Sequence, residues 1–309
     1  MQVFDLHCDT LYKTTTENNS IVANNYHLSY EKLLKYSEYT QVVAIWIPDE
    51  YRGNNAIKLV NDCYKNLLNS LQQCKEFYLV NNFNQLNNGH NVILAIEGGS
   101  ALAGDINNVK LLKDMGVRFL TLTWNGANEI GDGIRSENPK GLTAFGRELI
   151  PELEKNNIII DVSHASDQLF WQTAQIAKRP FVATHSNSRT ICSNLRNLTD
   201  DQFKHICKIG GIVGLNFYKY FITDSGVANF SDLEKHLEHF LSLNGEDTVA
   251  LGSDFDGADM PDCITGVESM ETLYNYLLSR NYNENLLRKL FYQNAYNFCK
   301  NYDKLYNEV

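Results

Sequence analysis

Short apolar, β-branched runs recur along the chain, and each one stops abruptly at polar residues. The runs are continuous rather than alternating, which is typical of parallel strands that helices cover on both faces. The hydrophobic pattern therefore predicts eight strands, over residues 3–7, 41–48, 91–99, 117–124, 158–164, 181–186, 211–217 and 249–257.

Amphipathic stretches with helical spacing lie between these runs. Ser29 and Ser231 are each predicted to cap a helix, and Thr199 or Asp200 is predicted to cap a third that ends near Gly210. Further helices are expected over residues 56–74, 109–115, 145–156, 266–280 and 284–302.

Eight strands that alternate with helices predict an α/β protein, a (β/α)8 TIM barrel formed by residues 1–309 as a single domain. A doubly wound open sheet is the alternative. Such sheets usually carry a glycine-rich phosphate loop after the first strand, and residues 3–16 contain no glycine. The pattern therefore favours the barrel.

Composition narrows the possible partners and compartment. The chain has 27 Lys and Arg against 37 Asp and Glu, a formal charge of −10, and no basic block, which argues against nucleic acid and anionic membranes as partners. The seven cysteines form no C-x-x-C pair, so neither a disulfide framework nor a zinc–thiolate site is expected. Without a recognisable signal peptide or a long apolar span, the chain is expected to be soluble and cytoplasmic.

Histidines and carboxylates lie at the carboxyl ends of the predicted strands, where barrels gather their chemistry. His7 and Asp9 are two residues apart, so they share one face of the first strand. Glu97, His164 and His185 end the third, fifth and sixth runs. Imidazole and carboxylate ligands suit zinc, and a carboxylate can bridge two ions. We therefore predict a site for two metal ions that activate a water molecule.

Three other polar residues each have two interpretations. Asp254 either begins an Asx turn or acts as a general base that moves a proton from water to the leaving group. Arg196 either forms a surface ion pair or binds a substrate carboxylate through its guanidinium group. Asp5 either orients a metal ligand or is a buried, hydrogen-bonded carboxylate.

Taken together, the motifs resemble the membrane (renal) dipeptidase family of metallopeptidases, family M19, a branch of the amidohydrolase superfamily. The likeness runs in order along nearly the whole chain, through DLHCDT, AIEGG, GLTAFGREL, IIIDVSHAS, ATHSNSR, RNLTDD, GGIVGLNFY and LGSDFDG. By position, the resemblance implies that His7 and Asp9 bind one Zn²⁺ and that His164 and His185 bind a second. It also implies that Glu97 bridges the two ions.

The same resemblance implies roles for residues around the metals. Asp254 matches the family's proton-shuttling Asp, Arg196 matches the Arg that holds the C-terminal carboxylate of a dipeptide, and Tyr218 matches a Tyr near that carboxylate. It further implies a dipeptide substrate, tolerance of a C-terminal D-residue and often a homodimer. The expected function is thus a binuclear zinc dipeptidase, with a metal-bridging hydroxide as the nucleophile.

One position departs from the family pattern. Many members have a His where this chain has Trp124, followed by Asn125. Tryptophan can donate one hydrogen bond but cannot accept a proton, so the oxyanion would depend on a zinc ion or on the Asn125 amide. Losing one oxyanion donor can lower the rate by about 10²–10³. Two alternatives therefore stay open: a hydrolase of another small amide or lactone, and a barrel that binds a metal or ligand without catalysis.

Overall fold

A curled, parallel sheet forms the centre of the computed structural model, which describes residues 1–304; the last residues of the predicted domain, 305–309, lie outside the described residues. Its strands follow the order β6-β5-β4-β2-β1-β8-β7, and β3 pairs with the first part of β4. The strands are β1 (Gln2–Cys8), β2 (Glu38–Trp46), β3 (Phe77–Leu79), β4 (His90–Glu97), β5 (Val117–Thr121), β6 (Ile159–Asp161), β7 (Val213–Leu215) and β8 (Val249–Leu251). The predicted α/β fold with a parallel sheet is confirmed.

The sixth predicted strand, residues 181–186, forms no extended ladder. It makes single bridges only, from Val182 to Asp161 of β6 and from Ala183 to Val213 of β7. Strands β6 and β8 are also shorter than predicted. The reason is local, because His164 and Asp254 adopt left-handed backbone conformations with φ of 65° and 64°, which no extended strand can contain.

Helices follow most of the strands. They are α1 (Thr10–Thr16), α2 (Tyr30–Leu33), α3 (Asn54–Gln73), α4 (Asn108–Asp114), α5 (Ala144–Lys155), α6 (Asp167–Ile176), α7 (Asp200–Lys208), α8 (Lys219–Ile222), α9 (Phe230–Ser242), α10 (Ser269–Ser279), α11 (Glu284–Arg288) and α12 (Asn294–Lys304). A π-helical turn, Lys289–Gln293, joins the last two. Within residues 1–304, none of the helices combines the length and apolarity that crossing a bilayer requires.

Helix caps agree with the sequence at some positions and differ at others. Thr199 caps α7, where its hydroxyl accepts from the Gln202 amide and the Gln202 side chain accepts from the Thr199 amide. The predicted cap at Ser231 is wrong. Asn229 caps α9 instead, because its side chain accepts from the Ser231 amide and Asp232 completes the reciprocal pair. Helices α1, α6 and α8 and strand β3 were not predicted from the pattern.

Successive strand residues alternate between two apolar clusters. Phe4, Leu6 and Val42 belong to an inner cluster, whereas Val3 and Val43 belong to the outer cluster under the helices. The inner cluster continues into aromatic side chains of α12, Phe298 and Tyr302. Helix α12 thereby packs against the amino end of the sheet, and the carboxyl end is left for polar groups.

An ion pair fixes α12 at that amino end. Arg118 of β5 is fully buried, and its Nη2 lies 2.5 Å from Oδ1 of Asp303. The other Asp303 oxygen accepts from the Phe83 amide at 2.9 Å, and the guanidinium lies 4.0 Å from the centre of the Phe83 ring. Both charges are thus balanced without water.

Replacing Asp303 with Ala leaves the Arg118 guanidinium buried without a counter-charge. We expect D303A to lower the free energy of unfolding by about 3–5 kcal/mol, measured by urea denaturation. Lys304 is exposed beside it, and K304A should change that free energy by less than about 0.5 kcal/mol. Equal stabilities for the two variants would contradict the assigned role of the pair.

Candidate metal centre

Five of the predicted side chains converge at the carboxyl end of the sheet, and all five are buried. His7 Nε2 lies 3.6 Å from Asp9 Oδ2 and 3.6 Å from Glu97 Oε2. The second Glu97 oxygen, Oε1, lies 3.0 Å from His164 Nε2 and 3.3 Å from His185 Nε2. Glu97 therefore faces one histidine with one oxygen and two histidines with the other.

A glycine leaves the space that two carboxylates occupy. A Cβ atom on Gly257 would lie 1.9 Å from Asp9 Oδ2 and 2.8 Å from Asp254 Oδ1. His164 and Asp254, with their left-handed backbones, turn the chain at this same end. Unfavourable backbone of this kind concentrates at functional sites, where surrounding packing compensates for it.

Hydrogen bonding fixes which nitrogen of His185 carries a proton. Thr184 Oγ1 donates to Asp161 Oδ2 at 2.6 Å, and its oxygen lies 2.8 Å from His185 Nδ1. Because the hydroxyl proton already goes to Asp161, the oxygen must accept from Nδ1–H of His185. The lone pair of His185 Nε2 therefore points at Glu97.

His164 has the same arrangement. Its Nδ1 lies 3.0 Å from Asn125 Oδ1, an oxygen that can only accept, so His164 also carries its proton on Nδ1. The two Nε2 atoms of His164 and His185 lie 3.1 Å apart. The Nε2 lone pairs of the two histidines and one oxygen of Glu97 therefore converge. These electron-rich atoms repel one another unless a cation lies among them.

The first half of the site has unpaired polar atoms. Among the described residues, His7 Nε2 and Asp9 Oδ1 are buried without a hydrogen-bond partner, since 3.6 Å is too long for a hydrogen bond. Three sets of ligand atoms each lie within 4.8 Å of one another: His7, Asp9 and Glu97; Glu97, His164 and His185; and His7, His185 and Asp254. The donor set fits divalent metal ions such as zinc.

The protonation states also suit a cation. Burial lowers the pKa of His164 to about 4, with a further contribution from Arg196, and burial lowers the pKa of His185 well below its ordinary value. Both are neutral imidazoles at pH 7, the form that binds metals. Burial opposes ionisation of Glu97, but the positive charge of His7 outweighs it and holds the pKa of Glu97 well below the usual range.

The pKa values of His7 and Asp9 are raised rather than lowered. Burial alone would lower the pKa of His7, but Glu97 and Asp9 outweigh it and raise that pKa well above its ordinary value. Burial and the charge of Glu97 raise the pKa of Asp9 to about 7. This half of the site therefore holds a proton tightly, and a metal ion would take its place.

Asp254 stands beside this centre. Its Oδ2 accepts from Asn216 Nδ2 at 2.9 Å, and its amide donates to the His7 carbonyl at 3.1 Å. Burial, with a further contribution from Glu97, raises the pKa of Asp254. A raised pKa makes this carboxylate a better proton acceptor than an exposed Asp, which suits a group that takes up a proton and returns it.

A cavity of about 740 Å³ opens over the metal-ligand candidates. Arg196 lies buried in its wall rather than on the surface, where Nη1 donates to Ser186 Oγ at 2.6 Å and Nη2 donates to the His185 carbonyl at 3.0 Å. Tyr218 lines the same cavity. Asn125 also lines it, while its Oδ1 is committed to His164.

Asp5 lies one layer below the centre. Its two oxygens accept from the amide and hydroxyl of Ser253, at 2.8 and 2.5 Å, and burial raises its pKa to about 6. It is thus a buried, hydrogen-bonded carboxylate that joins β1 to the segment carrying Asp254.

Asp161 and Thr184 are the residues that the sequence analysis missed. Asp161 accepts from the Ser163 and Thr184 amides and from the Thr121 and Thr184 hydroxyls, at 2.6–3.0 Å. The available signals were weak: an Asp three residues before His164 and a Thr directly before His185. Neither distinguishes a ligand support from an ordinary strand residue.

Comparison with known proteins identifies the family to which the chain is similar. Residues 1–308 match the family described as membrane dipeptidase, peptidase family M19. A Klebsiella pneumoniae protein described as an uncharacterized protein in the pqqA 5′ region is 36% identical over 220 residues, covering 68% of this chain and 81% of its own length. Dipeptidase 3 of Mus musculus is 28% identical over 80% of this chain, which spans only 52% of the mouse protein.

Solved structures match over nearly the whole chain. A metallopeptidase from Rhodobacter sphaeroides, bound to a phosphinate mimic of L-Ala-D-Ala, is 26% identical with a TM-score of 0.90, covering 97% of this chain and 99% of its own. The dipeptidase AC, a metallopeptidase of family M19, is 27% identical with a TM-score of 0.91, covering 97% and 98%.

Replacing Thr184 with Val keeps the shape of the side chain and removes the acceptor of His185 Nδ1–H. We expect T184V to weaken zinc binding by about 10–100-fold, measured by chelator competition at pH 7. T184S keeps the hydroxyl and should bind zinc much as the unmodified protein does. If T184V binds zinc as tightly as T184S, the hydroxyl does not orient His185.

Proposed function

Because the chain belongs to the membrane dipeptidase family, peptidase family M19, we propose that it hydrolyses dipeptides at a centre for two zinc ions. Its class, a metal-dependent dipeptidase, follows from the family and from metallopeptidase structures that match nearly the whole chain. The observation that carries the zinc proposal is the convergence of three histidines on the two oxygens of Glu97, with Asp9 beside His7.

The proposal includes a closed barrel. The segment that contains Val182 and Ala183 forms β-bridges to β6 on one side and to β7 on the other. These are the two edge strands of the sheet. Counted as a strand, it would complete a (β/α)8 barrel, in which the carboxyl ends of all strands meet at one mouth. The single domain over residues 1–309 remains a prediction.

In the proposed site, His7 and Asp9 would hold one ion and His164 and His185 would hold the second, with Glu97 as a ligand they share. Such ions, when bound, polarise the scissile carbonyl and lower the pKa of a water molecule so that it is a nucleophile at neutral pH. Asn125 and Thr184 keep the two histidines in the metal-binding tautomer.

The protein's own groups would complete the reaction. Asp254 takes the proton of the attacking water and returns it to the departing amine, while Asn216 holds its other oxygen. Arg196 binds the C-terminal carboxylate of the dipeptide, with Tyr218 beside it, since both line the cavity and Arg196 Nε is buried without a partner among the described residues.

Substrate range and assembly extend the proposal. We include dipeptides with a C-terminal D-residue, because the Rhodobacter sphaeroides metallopeptidase was solved with a mimic of L-Ala-D-Ala. A homodimer and a cytoplasmic location remain predictions from the sequence. Trp124, where many family members have His, keeps a small amide or lactone as the alternative substrate.

A substrate panel tests the function. Zinc-loaded protein should release free amino acids from L,L- and L,D-dipeptides, and it should act less well on N-acyl amino acids and lactones. Amino-acid release measured by chromatography gives kcat/KM for each compound. Turnover of the lactones or acyl amino acids without turnover of any dipeptide would favour the alternative.

Exchange of Asp254 for Asn tests the proton transfer. We expect D254N to bind about as much zinc as the unmodified protein and to lose at least about 10²-fold in kcat, because an amide cannot carry the proton. Asp262 is exposed outside the cavity, and D262N is the matched control that should keep full kcat. A D254N enzyme with unchanged kcat would exclude the shuttle role.

A further inference from the structure

Three aromatic side chains form one wall of the cavity, and we call Tyr12, Trp46 and Trp124 the aromatic wall. The ring centroids of Tyr12 and Trp46 lie 4.8 Å apart at an interplanar angle of 76°, and those of Trp46 and Trp124 lie 4.9 Å apart at 70°. These are favourable edge-to-face contacts. All three side chains are half-buried, so they present apolar surface to the cavity.

Backbone contacts hold Trp124 in this position. The Gly126 amide donates to Asp49 Oδ2 at 2.8 Å, and Arg52 Nη2 donates to the Ala127 carbonyl at 2.8 Å. On the other side, a Cβ atom on Gly133 would lie 2.2 Å from the Trp124 carbonyl oxygen. Hydrogen bonds on one side and close packing on the other therefore hold the loop that follows Trp124 in place. An apolar surface that is already ordered loses less conformational entropy when it binds a ligand.

Trp46 of the aromatic wall and Arg196 are held by opposite parts of the sheet. Trp46 ends β2, which is separated from the segment containing Val182 and Ala183 by β4, β5 and β6 in one direction and by β1, β8 and β7 in the other. Arg196 follows that segment in the chain and lines the cavity on its side. Asp9, Glu97 and His164 line the same cavity.

We infer that the aromatic wall binds the side chain of the N-terminal residue and selects dipeptides in which that side chain is apolar or aromatic. The inference rests on the proposed dipeptidase function, with the C-terminal carboxylate on Arg196. Trp124 lies beside His164, with ring centroids 6.3 Å apart, so the aromatic wall is next to the reacting bond. An acidic side chain would lose part of its hydration against these apolar rings.

The test compares substrates that differ only in the N-terminal residue. Zinc-loaded protein should show a kcat/KM for L-Phe-L-Ala at least about tenfold above that for Gly-L-Ala, and L-Asp-L-Ala should be poorest. In W124A the Phe-to-Gly ratio should fall towards one, whereas W124F should keep most of it. Zinc content is measured in each variant, since a lost metal would lower kcat/KM for every substrate rather than change the ratio.

Trp171 provides the matched control. The chain has three tryptophans, and Trp171 is 38% exposed on α6, away from the cavity. W171A should keep the substrate ratio of the unmodified enzyme. A ratio near one in the unmodified enzyme, or an unchanged ratio in W124A, overturns the inference.

A binding assay separates this inference from the proposed function. In W171F the remaining tryptophan fluorescence comes from Trp46 and Trp124. Titration with phosphinate mimics of Phe-Ala and Gly-Ala, with selective excitation of tryptophan, therefore reports on the aromatic wall directly. We expect at least about tenfold tighter binding of the Phe mimic, with a change in fluorescence. Equal affinities overturn the inference. Selective binding without hydrolysis of any dipeptide supports the aromatic wall and contradicts the proposed function alone.

Discussion

Glu97 ends a buried strand and faces imidazole nitrogens with both of its oxygens. A buried carboxylate is costly unless charges and hydrogen bonds compensate for it. Here His7 lies on one side, and His164 and His185 lie on the other. Each histidine reaches Glu97 from a different part of the sheet. These contacts therefore form only when the strands and turns that carry the histidines are correctly placed. The position of this one carboxylate constrains the arrangement of the carboxyl end.

A second layer of polar groups makes that arrangement specific. Asp161 and Thr184 set the tautomer of His185, and Asn125 sets that of His164. Asp5 holds the segment that carries Asp254 through both hydrogen-bonding groups of Ser253. These contacts aim lone pairs at one place before any ion binds, so less free energy is lost in ordering the ligands.

The two ends of the sheet divide stability from chemistry. At the amino end, α12 covers the inner apolar cluster and the Arg118–Asp303 pair is closed to solvent. At the carboxyl end, left-handed turns at His164 and Asp254 open the strands towards a cavity that the aromatic wall and Arg196 both line. Left-handed backbone at His164 and Asp254 and the buried ligand-type side chains thus lie together at the carboxyl end.

Sequence alone determined the parallel α/β fold and the residues that meet at its mouth. Continuous apolar runs indicate strands covered on both faces, and His7, Asp9, Glu97, His164 and His185 each interrupt or follow such a run. Sequence did not determine where the strands end, because one left-handed residue stops a strand without changing the hydrophobic pattern. Nor could it assign Asp161 and Thr184, or group Tyr12 with Trp46 and Trp124. Those roles depend on distances between side chains that are far apart in the chain, and only the packed tertiary structure sets such distances.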